Sequence, residues 1–226
     1  MPFSLEQVVP WGRSFDEYER MFALTRDDLS QPILGCGDGP ASFNAEARRR
    51  GISVTSCDPI YAFTAQQIRR RIDATSAEVV EQMRRNADQF VWTTIGSVED
   101  LISMRRSSMD AFLSDYAAAT GRYVAAALPA LPFRDRTFRL ALSSHLLFLY
   151  SAQFDLDAHR RSLADMCRVA DEVRVFPLLA LDGRRSPHVA PLIDALTAAG
   201  DHVQIETVPY EFQRGGNQML RLRHRR

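Results

Sequence analysis

The chain has 226 residues, 46% of them hydrophobic, which suits one α/β domain with a sizeable core. Its 28 acidic residues balance 28 basic ones, and every basic residue is an arginine. The neutral balance argues against a nucleic-acid partner, which calls for a basic excess, and the lack of lysine excludes Schiff-base and lysine-base chemistry.

Residues 1–30 carry Phe15, Tyr18, Met21 and Phe22 at helical spacing and are expected to form an N-terminal cap segment. A strand is expected at 32–36, running into Gly35, Gly37 and Gly39. A helix over 40–50 and a second strand over 52–57 follow, and the second strand ends on Asp58. Glycines let a ligand approach the backbone, and a carboxylate at a strand tip can accept hydrogen bonds from both hydroxyls of a ribose. This stretch points to an adenosine-type cofactor lying across the carboxyl ends of two parallel strands.

Residues 61–120 exceed what a crossover between parallel strands needs. Ile68, Ile72, Val79, Val80 and Met83 sit among helix formers there, and Ser97 after Gly96 is a candidate N-cap. Three helices forming a cap are expected. Further strands are expected near 122–127, 138–143, 172–176, 202–208 and 217–222, with helices over 157–169 and 187–199. Pro187 and Gly200 punctuate the last helix. Gly215-Gly216 is expected to make or bulge a final hairpin turn. The basic end, Arg221 to Arg226, reads as a solvated tail. Alternating strands and helices imply a Rossmann-like, seven-stranded, mostly parallel sheet with a C-terminal antiparallel hairpin, in a single domain over 1–226.

Cys36, Cys57 and Cys167 are odd in number and lack metal-ligand spacing, so neither a disulfide framework nor a metal site is expected. The first residues lack a basic stretch followed by an apolar run, and no segment approaches ~20 uninterrupted apolar residues. Secretion and membrane insertion are therefore not expected, and the cytoplasm is the expected location.

Over roughly 31–58 and 122–222 the chain resembles the class I S-adenosylmethionine (SAM)-dependent methyltransferases. Gly35-Cys-Gly-Asp-Gly39 matches that family's glycine loop, and Asp58 matches its ribose-binding acid. Leu128-Pro-Ala-Leu-Pro-Phe133 and the charged turn after it resemble the family's approach to the fourth strand. Ser143-Ser144-His145 stands where that strand meets the methionine part of the cofactor. Two departures are Ala126-Ala127 where many members carry an acid near adenine, and Phe138-Arg139 in place of Phe-Asp. The resemblance implies SAM as cofactor, held by Gly35, Cys36, Gly37, Asp38, Gly39, Asp58, Pro59, Ala127, Leu128 and Ser144. Pro10 to Tyr18, Phe90-Val-Trp92 and Pro209 to Asn217 resemble a bacterial subgroup of the same superfamily.

Arg13 is a candidate grip for the methionine carboxylate, and Trp11, Tyr18, Trp92 and Tyr210 are candidate neighbours of the sulfonium. Asp38 can cap the following helix or meet the ammonium. Ser144, His145 and Tyr18 are the catalytic candidates, with His145 as either a base or a packed core residue. Glu211, Gln213, Arg214 and Asn217 either line the pocket or set the turn. Three functions fit: methyl transfer to a small molecule, cyclisation of SAM itself to azetidine-2-carboxylate with loss of methylthioadenosine, and SAM binding without turnover. The acceptor and the oligomeric state are not legible.

Overall fold

In the computed structural model, which describes residues 8–119 and 121–223, seven strands form one sheet. They are β1 (Ile33–Cys36), β2 (Val54–Cys57), β3 (Tyr123–Val124), β4 (Phe138–Ser144), β5 (Ala170–Phe176), β6 (His202–Thr207) and β7 (Gln218–Arg223). Their spatial order is β3-β2-β1-β4-β5-β7-β6. The first five run parallel, and β7 runs antiparallel to both β5 and β6. This is the expected architecture, antiparallel C-terminal pair included.

Helices cover both faces: α1 (Phe15–Met21), α2 (Arg26–Leu29), α3 (Phe43–Arg49), α4 (Ala65–Arg85), α5 (Val98–Ala118), α6 (Leu156–Val169) and α7 (Val189–Ala198). Strands buried on both faces read as continuous apolar runs, because alternate residues enter different cores. Ile33, Leu140 and Leu142 join Phe15, Tyr18, Phe22 and Phe43 under α1 and α3. Leu34, Ala141, Val173 and Val175 join Leu163 and Met166 under α6. Ser14 and Thr64 close capping boxes at the starts of α1 and α4. Ser97 caps α5 as its sequence suggests, accepting from the Asp100 amide.

Four expectations need correction. The insertion over 61–120 holds two long helices, α4 and α5, with short 3-10 turns at Pro59–Ala62 and Ala87–Gln89, not three helices. The expected strand at 122–127 pairs with β2 only through Tyr123 and Val124, because the chain then leaves the sheet toward Ala126 and Leu128. Gly215-Gly216 does not make a tight hairpin turn. It lies in the long 208–217 loop, whose Phe212 stacks on Phe90 at 4.8 Å and meets Trp92 at 5.4 Å. Arg221 and Arg223 are not a solvated tail: in β7 they donate to Glu172 at 2.7 and 2.6 Å. Residues 1–7, which carry the expectation about a leader, and 224–226, which end the tail, lie outside the described residues.

Candidate active site at the sheet's switch point

Strand β1 is flanked by β2 on one side and β4 on the other, so the direction of winding reverses between β1 and β4. Loops leaving neighbouring strands part there and open a crevice at their carboxyl ends. A cavity of about 920 Å³ occupies this place. Its walls come from the loop after β1 (Gly37 to Ala41), Asp58 to Ile60 after β2, Ala126 to Pro129 after β3, and Ser144 to Leu147 at the end of β4. Val9 to Arg13 and helix α4 complete it.

Asp58 is fixed by its own strand end. Its Oδ2 accepts from the Gly39 amide at 2.9 Å and its Oδ1 from the Ile60 amide at 2.8 Å. Each carboxylate oxygen has a second acceptor position, so the group can still take two hydroxyl donors from the cavity. Burial pushes its pKa upward, against the two backbone bonds that favour the anion. The Tyr61 hydroxyl donates to the Gly39 carbonyl at 2.7 Å and pins the loop from the other side.

The glycines divide their work. A Cβ on Gly35 would lie 1.8 Å from Asp38 Oδ2, so that glycine makes room for a carboxylate of the protein itself. Gly39, at φ +53°, has nothing nearer to an added Cβ than Asp58 Oδ2 at 3.9 Å, and it is the glycine that leaves the cavity open. Asp38 neither caps α3, whose N-cap is Ser42, nor stands free. Its Oδ1 accepts from the Tyr18 hydroxyl at 2.8 Å and its Oδ2 from Ser56 at 2.6 Å. Burial holds its pKa up at about 6, so the group is ionised at neutral pH.

At the other pole Arg13 lines the cavity, with its Nη1 donating to the Trp11 carbonyl at 3.2 Å and its buried Nε without a partner. Behind it Arg105 and Glu17, each 1% exposed, form a forked ion pair at 2.5 and 2.7 Å. The Tyr210 hydroxyl donates to the same carboxylate at 2.9 Å. Arg13 feels the Glu17 and Arg105 charges without bonding to either, so two guanidinium groups stand against one carboxylate and this end of the cavity is cationic. His145 stands between the poles with φ +52°, its amide donating to the Phe176 carbonyl at 2.6 Å. Burial first, then Arg13 and Arg105, hold its pKa well below the ordinary histidine value, so the imidazole is neutral.

The expected residues Arg13, Tyr18, Gly37, Asp38, Gly39, Asp58, Pro59, Ala127, Leu128, Ser144 and His145 all meet at this cavity. Gly35 and Cys36 do not line it: the one accommodates Asp38, and the other is fully buried beneath the loop. Of the four aromatic candidates, Trp11 and Tyr18 line the cavity. Trp92 instead donates to the Ala87 carbonyl at 2.8 Å, and Tyr210 serves Glu17. Glu211, Gln213 and Arg214 brace the 208–217 loop through the Gly215 amide, the Ala180 and Leu181 carbonyls, and the Asp88 and Phe90 carbonyls. Asn217 donates to Glu211 in the same loop.

Sequence reading missed Ser56, Tyr61 and Met21 as supporting residues. Ser56 was in principle legible, since it precedes Asp58 by two and so shares its face of β2.

No family model matches the chain. It is 31% identical over 222 residues to the "Uncharacterized protein MJ0045" of Methanocaldococcus jannaschii, across 97% of this chain and 98% of that one. Among solved structures it is similar to the N-methyltransferase NodS from Bradyrhizobium japonicum WM9, at 13% identity and a TM-score of 0.49 over 94% of this chain and 97% of that one. It is also similar to magnesium protoporphyrin IX methyltransferase (ChlM) from Synechocystis PCC 6803 with bound SAM. There the identity is 10% and the TM-score 0.45, over 93% of this chain and 91% of that one. Likeness at this level concerns the path of the chain and carries over neither ligand nor reaction.

Proposed function

The chain belongs to the family of the Methanocaldococcus jannaschii protein MJ0045, and we propose that it is a SAM-dependent methyltransferase acting on a small molecule. The observation that carries this reading is Asp58. Its two oxygens are held in place by backbone amides at the switch point, with acceptor capacity left for two ribose hydroxyls.

The rest of the cavity fits the remaining parts of such a molecule. The apolar lining from Ala126 to Pro129, with Ala158 of α6, suits adenine. Arg13, with a buried and unpartnered Nε, suits a carboxylate. Asp38 suits an ammonium, and the faces of Trp11 and Tyr18 suit a sulfonium. SAM supplies a methyl group already activated on its positive sulfur. The chain's own work is to align the two reactants and to keep water out. The volume lies near the top of the ~300–1,000 Å³ range of ligand sites, which leaves room for a second, smaller occupant.

The test is calorimetric titration with SAM and with S-adenosylhomocysteine. Asp58→Ala removes two hydroxyl–carboxylate hydrogen bonds worth about 1.5–3 kcal/mol each, so affinity falls by about 10²-fold or more. No binding to the unaltered protein, or equal binding to the variant, refutes the cofactor assignment. Release of methylthioadenosine from SAM alone refutes methyl transfer while leaving the cofactor in place.

A further inference from the structure

A SAM site leaves the methyl acceptor unnamed, and the choice of acceptor rests on SAM being the cofactor. Outside the groups assigned to the cofactor, the cavity wall is mostly apolar, with Val9, Ile68, Val79, Met83, Leu149 and Phe154, and its polar members are Gln67, Arg71 and Tyr150. The carboxylates on the lining are Asp38 and Asp58, both at the cofactor end. A cationic acceptor would lose its water here without meeting a carboxylate of its own, whereas an apolar one gains from burial against this wall.

The groups around His145 fix what its ring can do. Asp38 is ionised and therefore only accepts. It receives the Tyr18 hydroxyl proton, so the Tyr18 oxygen is free to accept in turn. Ser144 Oγ, for its part, donates to Met21 Sδ at 3.8 Å, a group that only accepts. The Ser144 proton is thus directed onto α1, away from the imidazole. His145 Nδ1, at 2.9 Å from Ser144 Oγ, is left to donate to it. The ring proton sits on Nδ1, and Nε2 carries a lone pair with no protein partner among the described residues. A histidine at φ +52° is a strained choice, costing about 1–2 kcal/mol, and here the strain holds the ring at the cavity.

We propose that the methyl acceptor is an uncharged, largely apolar alcohol or phenol, and that His145 Nε2 takes its hydroxyl proton. As the acceptor oxygen bonds to the methyl carbon, its O–H bond breaks and the proton passes to Nε2. The electron pair of the sulfur–methyl bond leaves with sulfur. One positive charge disappears from sulfur as one appears on the imidazole, so the site's net charge is unchanged. Ser144 Oγ, accepting from Nδ1–H, stabilises the imidazolium. Arg13 and Arg105 oppose it, and a carboxylate bound at Arg13 weakens that opposition. A neutral amine needs no such base, and a carboxylic acid has already lost its proton.

The first test needs no acceptor. In the full chain labelled with ¹⁵N-histidine, with the His145 signals assigned by His145→Gln, long-range ¹H–¹⁵N spectra at neutral pH report the tautomer. Nδ1 is expected to be protonated and Nε2 bare, and Ser144→Ala is expected to mix the two forms. An Nε2–H tautomer in the unaltered protein overturns the proposal. The second test offers SAM with 2-naphthol, or with a short oligoribonucleotide. The naphthyl methyl ether is expected, with kcat falling about 10²-fold in His145→Gln at unchanged KM. Transfer to the oligonucleotide alone, or no transfer while SAM binds, overturns the acceptor class and leaves the cofactor assignment standing. Failure to bind SAM overturns that assignment instead.

Discussion

Breaking the buried pair between Arg105 and Glu17 should cost more than any surface ion pair in the protein. Arg105 reaches from α5 to α1, and both side chains are 1% exposed. The Tyr210 hydroxyl joins the same carboxylate from the 208–217 loop, so three distant segments meet on one group. Replacing Arg105 by Met keeps much of the volume but leaves Glu17 buried without its ion-pair partner, held by the Ser14 amide and the Tyr210 hydroxyl beside the Arg13 charge. Removing one partner of a buried pair costs about 3–5 kcal/mol. The pH dependence gives a second measure. Burial raises the Glu17 pKa, but Arg105 outweighs it and holds the group at about 2, against an ordinary value near 4.5. A depressed carboxylate stabilises the fold above its ordinary pKa, and that stability is lost as pH falls from about 4.5 toward 2. A shift of this size corresponds to about 3 kcal/mol, in line with the deletion figure. Urea unfolding at neutral pH and at pH 3 measures both. Arg105→Met should lose most of its stability deficit in acid, and the double variant with Glu17→Leu should be more stable than Arg105→Met alone. A loss below about 1 kcal/mol, or a deficit unchanged between the two pH values, would refute the assignment of this stability to the pair.

Other consequences can be measured on the same protein. Arg13→Leu should weaken SAM by about 10- to 100-fold, the worth of one charge-assisted contact, but leave decarboxylated SAM unaffected; titration of both ligands decides. Gly35→Ala should destabilise the protein far more than Gly39→Ala, because its Cβ would strike Asp38 at 1.8 Å while Gly39 meets nothing within 3.9 Å and suffers only the strain of φ +53°. Thermal unfolding of the two variants orders them, and equal losses would refute the steric account. Asp38 makes the opposite contribution to that of Glu17. With its pKa raised by burial to about 6, it disfavours the folded state increasingly as pH rises from about 3.8 to 6. SAM affinity should nonetheless fall as pH drops through 6, where Asp38 loses its charge, and Asp38→Asn should abolish that limb.

How far the sequence predicted this site follows from the range of the interactions involved. Gly37, Gly39 and Asp58 were legible because their roles are local: a strand end, a turn and a carboxylate whose partners lie on adjacent segments. The parallel sheet was legible because a strand buried on both faces must be apolar throughout, as Ile33-Leu34 and Leu140-Ala141-Leu142 are. Gly35 was misread because its neighbour, Asp38, is held by Tyr18 and Ser56, residues 20 and 18 positions away. A longer separation hid the contact of Ser144 with Met21, 123 positions away, beside the bond of Ser144 to His145. No local pattern in Ser144-His145 distinguishes a packed histidine from one whose neighbour is turned toward a distant helix. That distinction depends on Met21 of α1 meeting Ser144 at the end of β4, and the Glu17–Arg105 pair ties α1 to α5. A single helix therefore carries on adjacent positions the residue that anchors it, Glu17, and the residue that orients the site, Tyr18. Arg105→Met should therefore disturb the His145 tautomer, both by loosening α1 and by removing a charge that acts on the ring. That places stability and site geometry in the same seven residues of α1.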